Sequence, residues 1–134
     1  MKRGDVLAAF LGGGLGAAWR EVLMLGVADL PSGFPAAIFL ANMIAAAIIG
    51  LAAGWAAQGT MSGRSRLFLM TGICGGLSTF STFMWDAEQM LRTTDQRVTA
   101  VVYLIGSMVL GLILVWLASR TGARIAARGR DAAT

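Results

Sequence analysis

The hydrophobic positions of the chain fall into four long runs separated by short polar segments. The runs cover residues 6–27, 34–57, 67–91 and 98–119. Each is close to the roughly 20 residues that a helix needs to cross the hydrocarbon core of a bilayer. The connecting segments are rich in Gly, Ser, Thr and Asp, which are typical of turns. The pattern predicts an all-α integral membrane protein in which four transmembrane helices form a single domain over residues 1–134.

The third run contains a segment that is poorly suited to a regular helix. Residues 72–84 combine a glycine pair, four hydroxyl side chains and two phenylalanines three positions apart. A loosened backbone is tolerated at membrane depth only where protein or a water-filled cavity satisfies its polar groups. We therefore expect this segment to face the inside of an assembly and to carry the function.

The composition supports a membrane protein and excludes several kinds of site. The chain is 57% hydrophobic and 13% charged, with a mean hydropathy of +0.71. Histidine is absent and Cys74 is the only cysteine, so the commonest metal ligands and an internal disulfide are excluded. No pairing of nucleophile and base is evident, and we do not expect an enzyme. A cleaved signal peptide is disfavoured because the first apolar run continues to Val27.

The positive charge is unevenly distributed along the chain. The net charge is +4, and a basic tail over residues 120–134 indicates contact with anionic lipid headgroups rather than nucleic acid. Eight Lys and Arg residues lie on the side of both termini and the second connector, and two lie on the other side. The positive-inside rule then favours both termini in the cytoplasm. The eight are Lys2, Arg3, Arg64, Arg66, Arg120, Arg124, Arg128 and Arg130.

Small residues recur at the spacing used for close helix packing. Three G-x-x-x-G pairs occur, one in each of the first three runs, and they predict that these helices approach a neighbour closely. The pairs are Gly12 and Gly16, Gly50 and Gly54, and Gly72 and Gly76.

Polar and aromatic residues inside the runs indicate an anion path. Asn42 is explained equally well as interhelical glue and as pore lining. Tyr103 and Ser107 are four residues apart and share a helix face. Phe80 and Phe83 would ordinarily be packing residues, but hydroxyl side chains surround them. Ring edges carry partial positive charge and hydroxyls donate hydrogen bonds, so together they suit a small, weakly held anion.

At these residues the chain resembles the Fluc (CrcB-type) fluoride channel family over nearly its whole length. Residues 72–83, GICGGLSTFSTF, resemble the third-helix motif of the family, and Glu88 falls where the following acid lies. Residues 13–20 resemble the first-helix motif and residues 40–42 the second.

The resemblance implies a fluoride-selective channel that passively exports cytoplasmic fluoride across the bacterial inner membrane and lowers its toxicity. Members pair as antiparallel, dual-topology dimers, with a break in the third helix, two pores at the interface and a central structural Na⁺. By resemblance, Phe80 and Phe83 coordinate fluoride, Arg20 lies at the pore entrance or braces the dimer, and backbone carbonyls of Gly75 and Ser78 hold the Na⁺. The polar pore lining is then Asn42, Ser81, Thr82, Tyr103 and Ser107.

Some features depart from the family pattern and leave alternatives open. Glu21 stands where an aromatic residue is usual, and Ile38 where a threonine is common. The eight-to-two charge bias favours one orientation, so a heterodimer with an oppositely oriented homologue competes with the homodimer. A small multidrug-type proton-coupled cation transporter is the main rival, with Glu21 as its only candidate carboxylate in the first helix. A non-transporting scaffold protein is a third interpretation.

Overall fold

The computed structural model describes residues 2–59 and 61–131, and every regular element in this part of the chain is helical. The third apolar run contains a π-helical segment, Leu67–Ile73, and a short 3-10 turn, Thr94–Gln96, precedes the last helix. The α-helices are α1 (Arg3–Gly26), α2 (Ala36–Ala57), α3 (Gly63–Arg66), α4 (Cys74–Leu77), α5 (Phe80–Arg92) and α6 (Arg97–Asp131).

The helices make four spans that are long and apolar enough to cross a membrane. α1, α2 and α6 are one span each, and the segment from Gly63 to Arg92, which includes α3 to α5, is the third. Exposed side chains on the outer surface are large and apolar, among them Phe10, Leu25 and Leu112. The predicted all-α, four-helix membrane protein is confirmed.

The fourth helix is longer than the sequence predicted. The expected span ended at residue 119 with a basic tail beyond it, but α6 continues without interruption to Asp131. Two contacts stabilise the extension: Gly122 packs against the backbone of Leu51, and Arg130 donates hydrogen bonds to the Gln58 carbonyl (3.3 Å) and side-chain oxygen (2.6 Å). The tail is therefore helical up to Asp131, and residues 132–134 lie outside the described residues.

Glycines set the spacing between the helices, as the three predicted pairs indicated. α1 packs on the third span, where a Cβ at Gly72 would lie 2.8 Å from the Gly12 Cα and a Cβ at Gly16 would lie 2.8 Å from the Leu77 N. α2 packs on α6 in the same way, since a Cβ at Gly50 would lie 2.7 Å from the Val115 carbonyl oxygen. The backbones thus approach at distances that only glycine permits. The predicted packing role of these pairs is confirmed.

Two small clusters of buried residues bring the third span against its neighbours. One contains Ala41, Ala45, Cys74 and Leu77, and it fixes α4 against α2. The other joins α2, α5 and α6 beside the segment predicted to carry the function; its buried members are Ile38, Phe83, Ala87, Met90, Ala100 and Tyr103.

Candidate functional site

The third span is interrupted between α4 and α5, where Ser78 and Thr79 have extended backbones. The hydroxyl residues end one helix and start the next. Ser78 donates from both its N–H (3.0 Å) and its Oγ (2.8 Å) to the Cys74 carbonyl, which closes α4. The Thr79 Oγ1 accepts from the Thr82 N–H at 3.3 Å and so caps α5. The interruption is therefore built by local side-chain hydrogen bonds.

Asn42 of α2 holds the extended segment from the side. Its Oδ1 accepts a hydrogen bond from the Thr79 N–H at 2.9 Å, and its Nδ2 donates to the Thr79 carbonyl at 3.4 Å. The amide thereby supplies the partner that the Thr79 N–H lacks outside a helix. These bonds join α2 to the third span, as the interhelical interpretation of Asn42 expects, and the same side chain lines a groove beside the interruption.

Arg20 of α1 reaches the same interruption from the other side. Its Nη1 donates to the Gly76 carbonyl at 2.8 Å and to the Ser78 carbonyl at 3.4 Å. A guanidinium suits this position because it donates several hydrogen bonds in a fixed plane. Arg20 thus braces the interruption within its own chain. Its neighbour Glu21 is exposed on the outer surface of α1.

The interruption also releases backbone carbonyls from their helical partners. In a continuous helix the Thr79 N–H pairs with the Gly75 carbonyl and the Thr82 N–H with the Ser78 carbonyl. Here the first donates to Asn42 and the second to the Thr79 hydroxyl. Gly75 is exposed, with no atom of another residue near the position of a Cβ. Carbonyl oxygens are the ligands that hard cations prefer, so Gly75 fits a sodium site well. Ser78 fits less well, because the Arg20 cation already contacts its carbonyl.

A groove of about 500 Å³ opens beside the interruption, and both motif phenylalanines contribute to it. The ring centroids of Phe80 and Phe83 are 6.3 Å apart. Phe83 is buried, with 8% of its surface exposed, whereas Phe80 is 77% exposed at the open side. None of the lining residues is charged; they are Asn42, Ser78, Thr79, Phe80, Phe83, Met84, Leu104, Ser107 and Met108.

Two hydroxyl groups of α6 lie buried at this site without a hydrogen-bond partner among the described residues. They are the Tyr103 OH and the Ser107 Oγ. The Tyr103 ring packs against Phe83 with centroids 4.8 Å apart, and Ser107 lines the groove itself. A buried polar group without a partner costs about 1–3 kcal/mol, so such groups usually mark a bound ion, a water or a functional role.

Ser81 and Thr82, also expected to line the pore, lie on other faces of α5. Ser81 lines a neighbouring groove with Trp85 and Leu104, and its Oγ lies 3.3 Å from the Thr79 Oγ1. Thr82 lines a third groove, of about 270 Å³, on the side of Ile38. The single chain therefore does not bring these two hydroxyls together with Phe83 and Ser107.

Asp86 is a candidate functional residue that the sequence did not indicate. Its Oδ2 is buried and has no partner among the described residues, and it lines the same groove as Thr82, four residues earlier. Glu88, which falls where the acid of the family motif lies, is exposed instead and pairs with Arg92 at 2.6 Å. The four-residue spacing between Thr82 and Asp86 could have indicated this position, because residues four apart share a helix face.

Comparisons with known proteins place the chain in a family. The family model described as "CrcB-like protein, Camphor Resistance (CrcB)" matches residues 7–119. A protein of Yersinia pseudotuberculosis named fluoride-specific ion channel FluC 3 is 38% identical over 87% of this chain and 87% of its own length. Proteins named fluoride-specific ion channel FluC are 41% identical in Paraburkholderia xenovorans and 36% identical in Thermus thermophilus. These alignments cover 87% of this chain and 98% and 91% of the two relatives.

Proposed function

The chain belongs to the CrcB family, and from this membership we propose that it is a fluoride-selective ion channel of the bacterial inner membrane. It lets fluoride leave the cytoplasm passively and so lowers fluoride toxicity. The curated relatives are named as ion channels, and no enzymatic reaction is part of the proposal. The protein is a multi-pass membrane protein.

The observation that carries the proposal is the uncharged groove at the interruption of the third span. Phe80 and Phe83 present rings to it, and the Ser107 hydroxyl lies in it without another partner. Ring edges and hydroxyl donors replace part of the hydration shell of a small anion. Since no lining residue carries a full charge, the anion is held weakly enough to leave, which favours conduction over storage.

The open side of the groove supports pairing with a second subunit. Phe80 is 77% exposed in the single chain, and the adjacent exposed positions include Met84 and Trp85. We propose an antiparallel dimer in which each subunit contributes part of the wall of two pores. In such a dimer Ser81 and Thr82 contribute to the pore walls although they lie away from Phe83 in one chain. The homodimer is the simpler proposal, and the charge bias keeps a heterodimer as an alternative outcome.

A structural Na⁺ at the dimer centre is the remaining part of the proposal. The carbonyl of Gly75, which lacks its helical partner, supports it, whereas the Ser78 carbonyl, the second ligand that the resemblance implies, has the Arg20 guanidinium 3.4 Å away and fits less well. Replacing Na⁺ by N-methyl-D-glucamine throughout purification and reconstitution is expected to lower dimer stability. Unchanged stability and flux without Na⁺ would remove the ion from the proposal.

The direct test is efflux from liposomes that contain the purified chain. We expect the native protein to release fluoride rapidly and chloride little. The Phe80→Ile and Phe83→Ile variants are expected to release fluoride slowly. Phe10→Ile is the matched control, because Phe10 is also exposed (75%) but lies on α1 outside the groove. Equal release of chloride would refute the selectivity. No fluoride release from a folded dimer would refute the channel, and Glu21-dependent uptake of a cationic drug would then support the transporter.

The orientation is tested separately with a single exposed cysteine. The Ser62→Cys substitution places an exposed cysteine in the second connector, whereas the native Cys74 is buried. Labelling from both sides of the cell membrane is expected for a homodimer of antiparallel subunits. Labelling from one side only would indicate a partner subunit encoded elsewhere.

A further inference from the structure

A further groove lies between α1 and the third span, away from the fluoride groove and on the side of the molecule that carries both termini. Its volume is about 930 Å³, and its walls are largely apolar. Leu7, Ala8 and Leu11 of α1 face Phe68 and Leu69 of the π-helical segment. None of these residues belongs to the fluoride groove.

The groove lies beside the glycine contact of the two helices. α1 and the third span touch at Gly12, where a Cβ would lie 3.0 Å from the Gly72 Cα. Towards the start of α1 the lining positions carry Ala8 and Leu7. The segment of α1 from Gly4 to Leu11 is about 10 Å long along the helix axis. The groove therefore runs from the polar end of the molecule to apolar depth.

Basic groups surround the mouth of the groove. Lys2 and Arg64 line it, and Asp5 is the one acidic lining residue. The Arg64 guanidinium lies over Gly4, since a Cβ there would be 2.9 Å from its Nη2. Its Nε is 3.9 Å from the Asp5 Oδ1, while the other Asp5 oxygen accepts a hydrogen bond from the Lys2 N–H at 3.0 Å. The Arg64 side chain is 65% exposed, and this long ion pair neutralises its charge only in part.

We propose that this groove binds one anionic phospholipid, with its headgroup phosphate at Lys2 and Arg64 and an acyl chain along Leu7, Leu11 and Phe68. A free phosphate would use the basic mouth but leave the apolar walls in contact with water or hydrocarbon. A zwitterionic lipid brings its own ammonium group to a mouth that is already positive. Basic pockets between transmembrane helices on the cytoplasmic side are typical sites for anionic headgroups. The positive-inside rule favours this end of the molecule on that side, and in the antiparallel dimer proposed above one of the two subunits places it there.

Native mass spectrometry of the purified protein, titrated with phosphatidylglycerol or phosphatidylcholine of the same acyl chains, tests the proposal. We expect one phosphatidylglycerol to bind at least fivefold more tightly than phosphatidylcholine. Arg64→Gln is expected to lower the affinity for phosphatidylglycerol about fivefold. Arg92→Gln is the matched control, since Arg92 is also exposed but pairs with Glu88 away from the groove. Ala8→Phe fills the groove and is expected to weaken both lipids.

Several results would overturn the proposal. They are equal binding of the two lipids, native affinity in Arg64→Gln, and full competition by inorganic phosphate, which would indicate a site for the free ion. A change from dimer to monomer in Ala8→Phe would indicate that a second copy of the chain occupies the groove. The readout is lipid binding rather than fluoride flux, so failure here leaves the proposed channel untouched.

Discussion

The side-chain amide of Asn42 pairs with the backbone of Thr79 through two hydrogen bonds, accepting from its N–H at 2.9 Å and donating to its carbonyl at 3.4 Å. Because Thr79 is extended, the bond to its N–H replaces the one that a continuous helix would make to the Gly75 carbonyl. The pairing keeps the third span open and places the amide beside the proposed fluoride path. One residue of α2 thereby links the fold of the third span to its proposed function.

The first prediction separates these two contributions of Asn42. Asn42→Ala leaves the Thr79 N–H without its partner, whereas the Thr79 carbonyl keeps the first hydrogen bond of α5, and we expect the variant to destabilise the protein by about 1–3 kcal/mol. Asn42→Asp keeps the acceptor for the Thr79 N–H but replaces the Nδ2 donor by a second oxygen and places a negative charge at the groove, so we expect no fluoride flux. Thermal unfolding in detergent and liposome efflux measure the two effects. Native flux in Asn42→Asp would place the path elsewhere.

The second prediction concerns the buried hydroxyl of Tyr103, which has no partner among the described residues. Tyr103→Phe removes a desolvated polar group and keeps the ring against Phe83, so we expect no loss of stability. If the hydroxyl contacts the ion, the rate of fluoride efflux falls about tenfold, the effect of one lost hydrogen bond of about 1.4 kcal/mol. Ser107→Ala is expected to act in the same direction. A destabilised Tyr103→Phe with native efflux would show that the hydroxyl is structural.

The third prediction uses the unequal burial of the two motif phenylalanines. Phe83 is buried in a cluster with Tyr103, so we expect Phe83→Ile to cost about 1–3 kcal/mol because the new shape packs poorly. Phe80 is mostly exposed in the single chain, and we expect Phe80→Ile to change the stability of the monomer by less than about 0.5 kcal/mol. Both variants are expected to slow efflux. Denaturation of monomers in harsh detergent, compared with dimer dissociation, distinguishes the two positions.

The fourth prediction tests the glycine contact between α1 and the third span. A Cβ at Gly16 would collide with backbone atoms of Ile73 and Leu77, whereas Gly14, two residues earlier, has open space. We expect Gly16→Ala to destabilise the protein by about 1–3 kcal/mol through overpacking. Gly14→Ala is the control and is expected to have native stability or slightly more, since alanine favours the helix. Equal melting temperatures for the two variants would contradict the close contact.

The sequence by itself determined the membrane environment, the number of spans and the unusual segment of the third span. Four apolar runs of membrane length indicated a lipid bilayer, because each run is too apolar to be exposed to water. The glycine pairs predicted close packing, since the absence of a side chain is a local property. The glycines and hydroxyls of residues 72–83 marked the unusual third span, and the motif of those residues identified the family.

The tertiary structure alone decided which groups meet. It paired Asn42 with Thr79 and Arg20 with Gly76, contacts between helices that no local spacing encodes. It also extended α6 to Asp131, because contacts with α2 stabilise residues that are too polar to be counted as a span. Burial likewise distinguished Asp86 from Glu88, two acids that look alike in the sequence. Hydrophobic patterning reports the solvent of each segment, whereas hydrogen-bond partners depend on how the helices pack together.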